Sequence, residues 1–466
     1  MEGHDQRRAA LTVAMLSSFL TPFMGSSVNV ALKSISTEFS LNAVLESWVA
    51  TSYLLSAAVF LVPFGRLADI RGRKRVFIYG LWIFSAASLL CAVAPSGYSL
   101  IGFRILQGFG SAMMFGTSIA ILTSVYPPRD RGKALGLSTA VTYMGLSLGP
   151  FGGGLITNII GWRWIFLVTV PIAALTLYVT AHRLEGEWAG AKGESFDVRG
   201  SVVYGISLTA VILGFSILPD PLGALVTGLG TLGVVVFILL ERRLASPVLN
   251  MRLFSSRTFA FSNVAALINY SATFAVSFLM ALYLEYVKGF SPERAGLILI
   301  SQPIVMAVVS PLSGRFSDVI EPQILASAGM AITAFGLVFL ALLTATSSVV
   351  FIVFSLAFLG LGFGLFSSPN TNAVMSSVER KYYGIGAASL GTMRLVGQVL
   401  SLGIATLFIA VYVGDVEISS AVAVDFLKSF QLAFVAFAAM CFVGILPSLA
   451  RGKVRDKKMV QGRRET

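Results

Sequence analysis

The sequence predicts an all-α integral membrane protein of fourteen spans, arranged as two six-helix bundles plus two extra transmembrane helices. Three observations predict it. Hydrophobic residues make up 56% of the 466 and charged residues 12%, with a mean hydropathy of +0.83. A soluble domain carries about 45–50% apolar and about 25% charged residues. The apolar residues gather into fourteen runs, each near the ~20 residues that cross a bilayer. The cations fall almost wholly on one side of those runs.

The runs lie near 9–32, 44–64, 76–94, 100–126, 134–158, 164–182, 199–217, 222–240, 258–284, 295–313, 324–344, 349–367, 384–412 and 428–449. No stretch outside them is long enough for a soluble domain. The first run exceeds a signal-peptide core and no cleavage site follows it, so it is expected to stay in the mature protein. Cys91 and Cys441 both fall inside apolar runs and read as small buried hydrophobes. With two histidines, His4 and His182, no metal cluster is expected.

Fourteen spans put both termini on one side. With the N-terminus inside, the cytoplasm receives twenty-seven of the 34 Lys and Arg. These are Arg7, Arg8, the five cations of GRLADIRGRKR (65–75), Arg129, Arg131, Lys133, Arg183, Lys192, Arg199, Arg242, Arg243, Arg252, Arg257, Arg315, Arg380, Lys381 and seven in the tail. Outer loops receive only Lys33, Arg163, Lys288, Arg294 and Lys428, while Arg104 and Arg394 fall within spans. That asymmetry is the positive-inside rule. The net charge of +12 is therefore a topology signal, with attraction to anionic membrane lipids, and not a nucleic-acid footprint.

GRLAD at 65–69 returns as GRFSD at 314–318, each closing the second span of a six-span block. Internal symmetry of this kind marks a secondary transporter with its binding site between repeats. The expected organisation is an N-terminal bundle (1–182), a two-span insert with its flanking loops (183–257), a C-terminal bundle (258–449) and a basic cytoplasmic tail (450–466).

GRLADIRGRKR, with GRFSD as its second copy, resembles the loop motif after the second span in the major facilitator superfamily. GLSLGPFGGGL (145–155) resembles the span-five motif of that superfamily's exporters, matching at Gly145, Gly149, Pro150, Gly153 and Gly154. FRILQGFGSA carries Arg104 where the family places an intramembrane arginine. Fourteen spans, WRWIFLVTVP (162–171), FDVRG (196–200) and PVLNMRLFSSRTF (247–259) narrow the resemblance to the drug:proton antiporters, of multidrug-efflux type.

The resemblance implies a secondary active exporter of small amphipathic or drug-like molecules, working by proton antiport and alternating access in a prokaryotic cytoplasmic membrane. It also implies a monomer with no cofactor. Gly65, Arg66, Asp69, Arg71, Gly72 and Arg73, with Gly314, Arg315 and Asp318 in the second copy, are the gating candidates. Two glycines permit a tight turn and close backbone approach. Asp69 is expected against the N-terminus of span thirteen, near Gly384 to Ala388, where a helix dipole favours an anion. Arg66, Arg71 and Arg73 are expected to bridge the halves when the cytoplasmic side is shut. The span-five glycines and Pro150 are expected to bend that helix or pack it closely on a neighbour.

Span one departs from the family pattern L-D-x-T-x-V-N-V-A-L-P. It reads FMGSSVNVALK, with Met24 at the acidic position, Ser26 at the threonine and Lys33 at the proline. No Asp or Glu lies mid-span. Proton coupling needs a group that gains and loses a proton, so Glu285, Glu46 and Arg104 become the candidates. Both acids lie at outer ends of spans and also read as solvated interfacial groups; Arg104 faces the interior or partly snorkels. Asn29, Gln107, Asn263, Asn269, Asn370, Asn372, Arg394 and Gln398 are candidates for a polar cavity lining or for hydrogen bonds between helices. Without midplane acids, neutral or amphipathic solutes, or anionic ones paired with Arg104, are favoured over doubly charged cations.

GLGTLG (228–233) lies inside a run with no strand before it, so it is no dinucleotide fingerprint. No catalytic constellation emerges, and an enzyme is not expected. Two other readings stay open: a gradient-independent facilitator or flippase of lipid-like solutes, and a non-transporting membrane receptor or scaffold.

Overall fold

The computed structural model describes residues 2–218, 220–414 and 423–452. The described chain is helical. It runs α1 (Glu2–Phe39), α2 (Ala43–Arg71), α3 (Arg73–Ala92), α4 (Gly97–Val125), α5 (Arg131–Ile159), α6 (Arg163–His182), α7 (Val198–Ser216) and α8 (Pro221–Glu241). It continues as α9 (Arg257–Thr273), α10 (Val276–Leu282), α11 (Pro292–Leu299), α12 (Ser301–Val319), α13 (Pro322–Ala341), α14 (Val349–Ser377), α15 (Tyr383–Tyr412) and α16 (Ala423–Ala450).

Thirteen stretches among the described residues are long and apolar enough to cross a membrane. The remaining expected span, 134–158, is α5. It is long enough at 29 residues, but seven glycines dilute its hydropathy. The ninth span combines α9, α10 and a π-helical turn, Tyr283–Val287; the tenth combines α11 and α12. The basic tail expected over 450–466 falls, beyond residue 452, outside the described residues.

Local chemistry explains the helix starts. Asn42 accepts the Leu45 amide at 2.9 Å before α2, and Ser96 with Ser99 forms a capping box on α4. Interior hydroxyls turn back onto their own helices: Thr176 and Thr180 on α6 donate to Ile172 and Thr176 carbonyls, each at 2.7 Å. In a medium without water, that satisfies a group that would otherwise be orphaned.

The helices divide into two compact units. The first takes Met1–Gly205, Val236–Met251 and Val378–Thr392; the second takes Ile206–Val235, Arg252–Ser377 and Met393–Thr466, as far as they are described. In the first, α1 packs on α5, α3 on α4 and α6, and α2 on α4. Its core gathers Met24, Phe77, Phe84, Cys91 and Phe166. In the second, α13 packs on α14 and α16, α12 on α14, and α9 on α16, around Leu279, Leu356, Phe430, Phe434 and Cys441. Both cysteines are free and buried. Large side chains such as Trp82, Leu229, Leu232 and Phe354 face outward at half exposure or more. Hydrocarbon as the surrounding solvent makes that surface stable.

Candidate functional site: the loop between α2 and α3 and the polar interior

The loop GRLADIRGRKR occupies the end of α2 and the start of α3, with Gly72 alone between them. Gly72 has φ +113°, which an L side chain resists, so the sharp helix-to-helix turn needs glycine here. The Glu187 carboxylate accepts the Lys74 and Arg75 amides at 2.9 and 3.0 Å, capping α3 where its dipole is positive.

Asp69 sits one turn before Gly72 and is fully buried. It accepts four hydrogen bonds: Arg73 Nε at 3.0 Å and Nη2 at 2.6 Å, and the Gly384 and Ile385 amides at 2.8 and 2.9 Å. Those two amides are unsatisfied donors of the first turn of α15, so charge, dipole and hydrogen-bond demand coincide. Close approach is possible because Gly65 lacks a side chain: a Cβ there would stand 2.7 Å from Gly384 O. Arg73 is also buried, donating to Ser124 Oγ at 2.8 Å and Arg380 O at 2.5 Å. Arg131 donates to the Tyr383 hydroxyl at 3.1 Å, and the guanidiniums of Arg73 and Arg131 each lie 5.3 Å from that ring's centre.

A second ion cluster lies beside the first. Arg66 Nη2 reaches Glu194 Oε2 at 2.5 Å, and Lys381 pairs with the other Glu194 oxygen. Burial pushes the Glu194 pKa up, but hydrogen bonds from Lys381 and Arg66 outweigh it and hold the carboxyl below the usual range. Arg71 is exposed. All these residues belong to the first unit.

In the second unit, Gly314 is buried, Arg315 is exposed and Asp318 is half-buried at the end of α12. The neighbouring Ser317 accepts from Asn372 Nδ2 at 2.9 Å. Arg451, counted by sequence among the tail cations, is instead fully buried. It donates to Asn370 Oδ1 and Ser448 O at 2.8 Å each. Burial lowers its pKa to about 9.

Gly145, Gly149 and Gly153 recur every four residues and form one buried face of α5 against α1. A Cβ on Gly145 would stand 2.7 Å from Phe19 O, and one on Gly153 2.8 Å from Ser27 O. Gly154 is half-buried and Pro150 exposed; α5 runs through both without a break.

Arg104 does not snorkel. It is fully buried, donates to Val49 O at 3.0 Å and Gln107 Oε1 at 2.7 Å, and lies 4.3 Å from the Tyr53 ring centre. Gln107 passes the chain on to Ser88 Oγ at 2.8 Å. Carbonyl, amide and ring quadrupole are neutral, so they hold a buried cation without a carboxylate.

Met24 is fully buried in the first core. Glu46 is half-buried in the first turn of α2, and Glu285 is half-buried in the π-helical turn. Asn29 is exposed and Gln398 half-buried, while Asn263 and Asn269 are buried in α9. Neither side-chain atom of Asn269 has a hydrogen-bond partner among the described residues. Arg394 donates to Thr371 Oγ1 at 2.7 Å and lies 5.5 Å from the Tyr270 ring centre, which places it inside the second unit and not toward head groups.

Sequence reading missed Glu194, Glu187, Lys381 and Tyr383 as partners of the loop. A signal existed for the acids: both lie among the cations of the 183–199 loop. Nothing in the sequence told that Glu194 would meet Arg66 and Lys381, or that Glu187 would meet the first amides of α3.

The family model described as the Major Facilitator Superfamily matches residues 14–402, and a second match covers 262–465. The riboflavin transporter RibZ of Clostridioides difficile is 28% identical over 97% of this chain and 99% of its own length. The cephamycin export protein CmcT of Amycolatopsis lactamdurans is 32% identical over 95% of this chain and 93% of its own. Among solved structures, the human organic anion transporter MFSD10 (TETRAN) shares the fold at TM-score 0.67 with 14% identity, covering 95% of this chain and 99% of that one.

Proposed function

Because this chain belongs to the major facilitator superfamily, and is therefore a multi-pass membrane transporter of small molecules, we propose that it exports amphipathic or drug-like solutes from the cytoplasm by proton antiport. Its likeness to an antibiotic exporter over nearly its whole length supports export. The proposal includes a monomer in the cytoplasmic membrane with both termini inside, moving by alternating access.

The observation that carries the moving part is the Asp69 carboxylate, buried between Arg73 and the first amides of α15. A buried ion pair closed by three partners is an element with two discrete arrangements, made or broken. In this reading Gly65, Arg66, Asp69, Gly72 and Arg73 are a latch on the start of α15. Gly314, Arg315 and Asp318 form the second copy, and the α5 glycines set the close fit on α1. Glu285 carries the proton, Glu46 and Arg104 being the alternative candidates; Asn263, Asn269, Arg394 and Gln398 offer the solute hydrogen bonds.

The test is a pH-dye assay in proteoliposomes under an imposed inside-acid gradient. Antiport gives proton release on adding an amphipathic substrate, and Glu285→Gln abolishes it. A second reading, facilitated movement without proton flux, is favoured by Met24 at the usual acidic position, fully buried in an apolar core. Solute movement with no dye response would establish that reading instead.

A further inference from the structure

FDVRG before α7 and the segment after α8 take no part in the latch, yet they meet through two acids. Glu241, the last residue of α8, is 2% exposed; Asp197, just before α7, is half-buried. Each has one oxygen occupied by a backbone amide. Glu241 Oε2 accepts from Leu249 N at 2.8 Å, and Asp197 Oδ1 accepts from Gly200 N at 3.0 Å. The remaining oxygens, Glu241 Oε1 and Asp197 Oδ2, are both buried and have no donor among the described residues. They point at the same place: a Cβ on Gly200 would collide with both Asp197 Oδ2 and Glu241 Oε1, which sets the two carboxyls side by side.

Two carboxylates cannot face each other this way out of water, because like charges in a poorly screened site repel and neither oxygen has a donor. One proton between them resolves both problems at once. It turns two orphaned acceptors into a donor and an acceptor. The surrounding charges do not supply that donor: Arg199 on α7 and Arg242 and Arg243 after α8 are exposed. Glu194, three residues before Asp197, is engaged with Arg66 and Lys381.

We propose that Asp197 and Glu241 form a proton-binding site, one proton shared between Asp197 Oδ2 and Glu241 Oε1 at neutral pH. The site clamps the entry of α7 to the chain leaving α8. Its two arms lead to the latch. Asn250, next to Leu249, donates to the Tyr382 hydroxyl at 3.1 Å, and Glu194 on the other arm holds Lys381. Loss of the proton drives the arms apart and loosens the start of α15, so the latch senses cytoplasmic pH. The site stands whether or not solute export is coupled to protons.

The experiment is infrared difference spectroscopy on the full-length protein in lipid nanodiscs at pH 7, followed through the C=O stretch of protonated carboxyl groups. Exposed Asp and Glu, with pKa values of about 4, contribute nothing there. The expected result is a protonated-carboxyl band in the wild type that loses one carboxyl equivalent in Glu241→Gln and again in Asp197→Asn. Each amide can donate to the surviving carboxylate, so either variant reads the site if the other fails to fold. A spectrum at pH 7 identical in wild type and both variants would overturn the proposal. So would binding of Mn2+, the probe for a divalent-cation site, seen by electron paramagnetic resonance in the wild type and lost in the variants.

Discussion

The two copies of the loop motif share their lettering and little of their surroundings. In GRLAD, Asp69 is fully buried under four hydrogen bonds, and Arg66 is 2% exposed against Glu194. In GRFSD, Asp318 is half-buried and Arg315 faces out. Both close the second helix of a six-span block, so the difference arises in what packs against them. Gly65 receives the start of α15 at backbone distance, and Asp69 then meets two free amides. A duplicated motif therefore carries a duplicated position, while the burden it bears depends on the partner the fold delivers.

The largest effect should come from the acids. Asp69→Asn leaves Arg73 buried without its counter-charge, an imbalance costing about 3–5 kcal/mol. Transport by correctly inserted protein in proteoliposomes should fall at least about a hundredfold, since each 1.4 kcal/mol is a factor of ten. Asp318→Asn should cost less than Asp69→Asn, because Asp318 is half-buried where Asp69 is fully buried. Equal losses in the two variants would erase the contrast between the copies.

Next comes the close approach. Gly65→Ala places a methyl against Gly384 O, and overpacking of that kind costs about 1–3 kcal/mol. Thermal unfolding in detergent should show a lowered midpoint together with loss of transport. An unchanged midpoint would mean that α15 moves aside freely and that Gly65 is no contact point.

The arginines sharpen the comparison further. Arg73→Lys keeps the charge but cannot serve Asp69, Ser124 and Arg380 O at once, because lysine is a point charge without the planar fork. A several-fold fall in transport is expected. Arg315→Lys, at an exposed position, should lie within ~0.5 kcal/mol of wild type in stability. A matching fall in Arg315→Lys would show that the exposed copy is equally engaged during turnover.

The smallest effect is the pH dependence of Glu194. Its folded carboxyl titrates below its unfolded value because Arg66 and Lys381 outweigh burial. Its contribution is therefore complete above the unfolded pKa and is lost as pH falls through the folded one. The midpoint difference between wild type and Glu194→Gln should be present at pH 7 and vanish in acid. At a partly exposed pair it should amount to about 0.2–1 kcal/mol and shrink with salt. A gap that widens in acid would contradict the assignment.

Much of the candidate site was legible because each residue broke a local rule. An intramembrane arginine in Arg104 and glycines spaced by four in α5 stand out against an apolar background, whereas Asp69 lies in a cation-rich loop and its place against the start of α15 was expected only through the family resemblance. Arg104 was legible as a charge but not in its environment, since a one-dimensional pattern holds no trace of the Val49 carbonyl or the Tyr53 ring. Glu194, Arg451 and the Asp197–Glu241 pair were not legible. Each sits in a loop or at a helix end, where composition predicts solvation and only packing decides otherwise.

By itself the sequence determined the apolar helices and so the multi-pass membrane architecture. Those depend on hydropathy over about twenty residues, a property of neighbours along the chain. Tertiary structure alone decided which charges are paired and which are merely counted. A carboxylate's state depends on donors and charges within a few ångströms, and residues 69 and 384, or 197 and 241, become neighbours only when the helices pack.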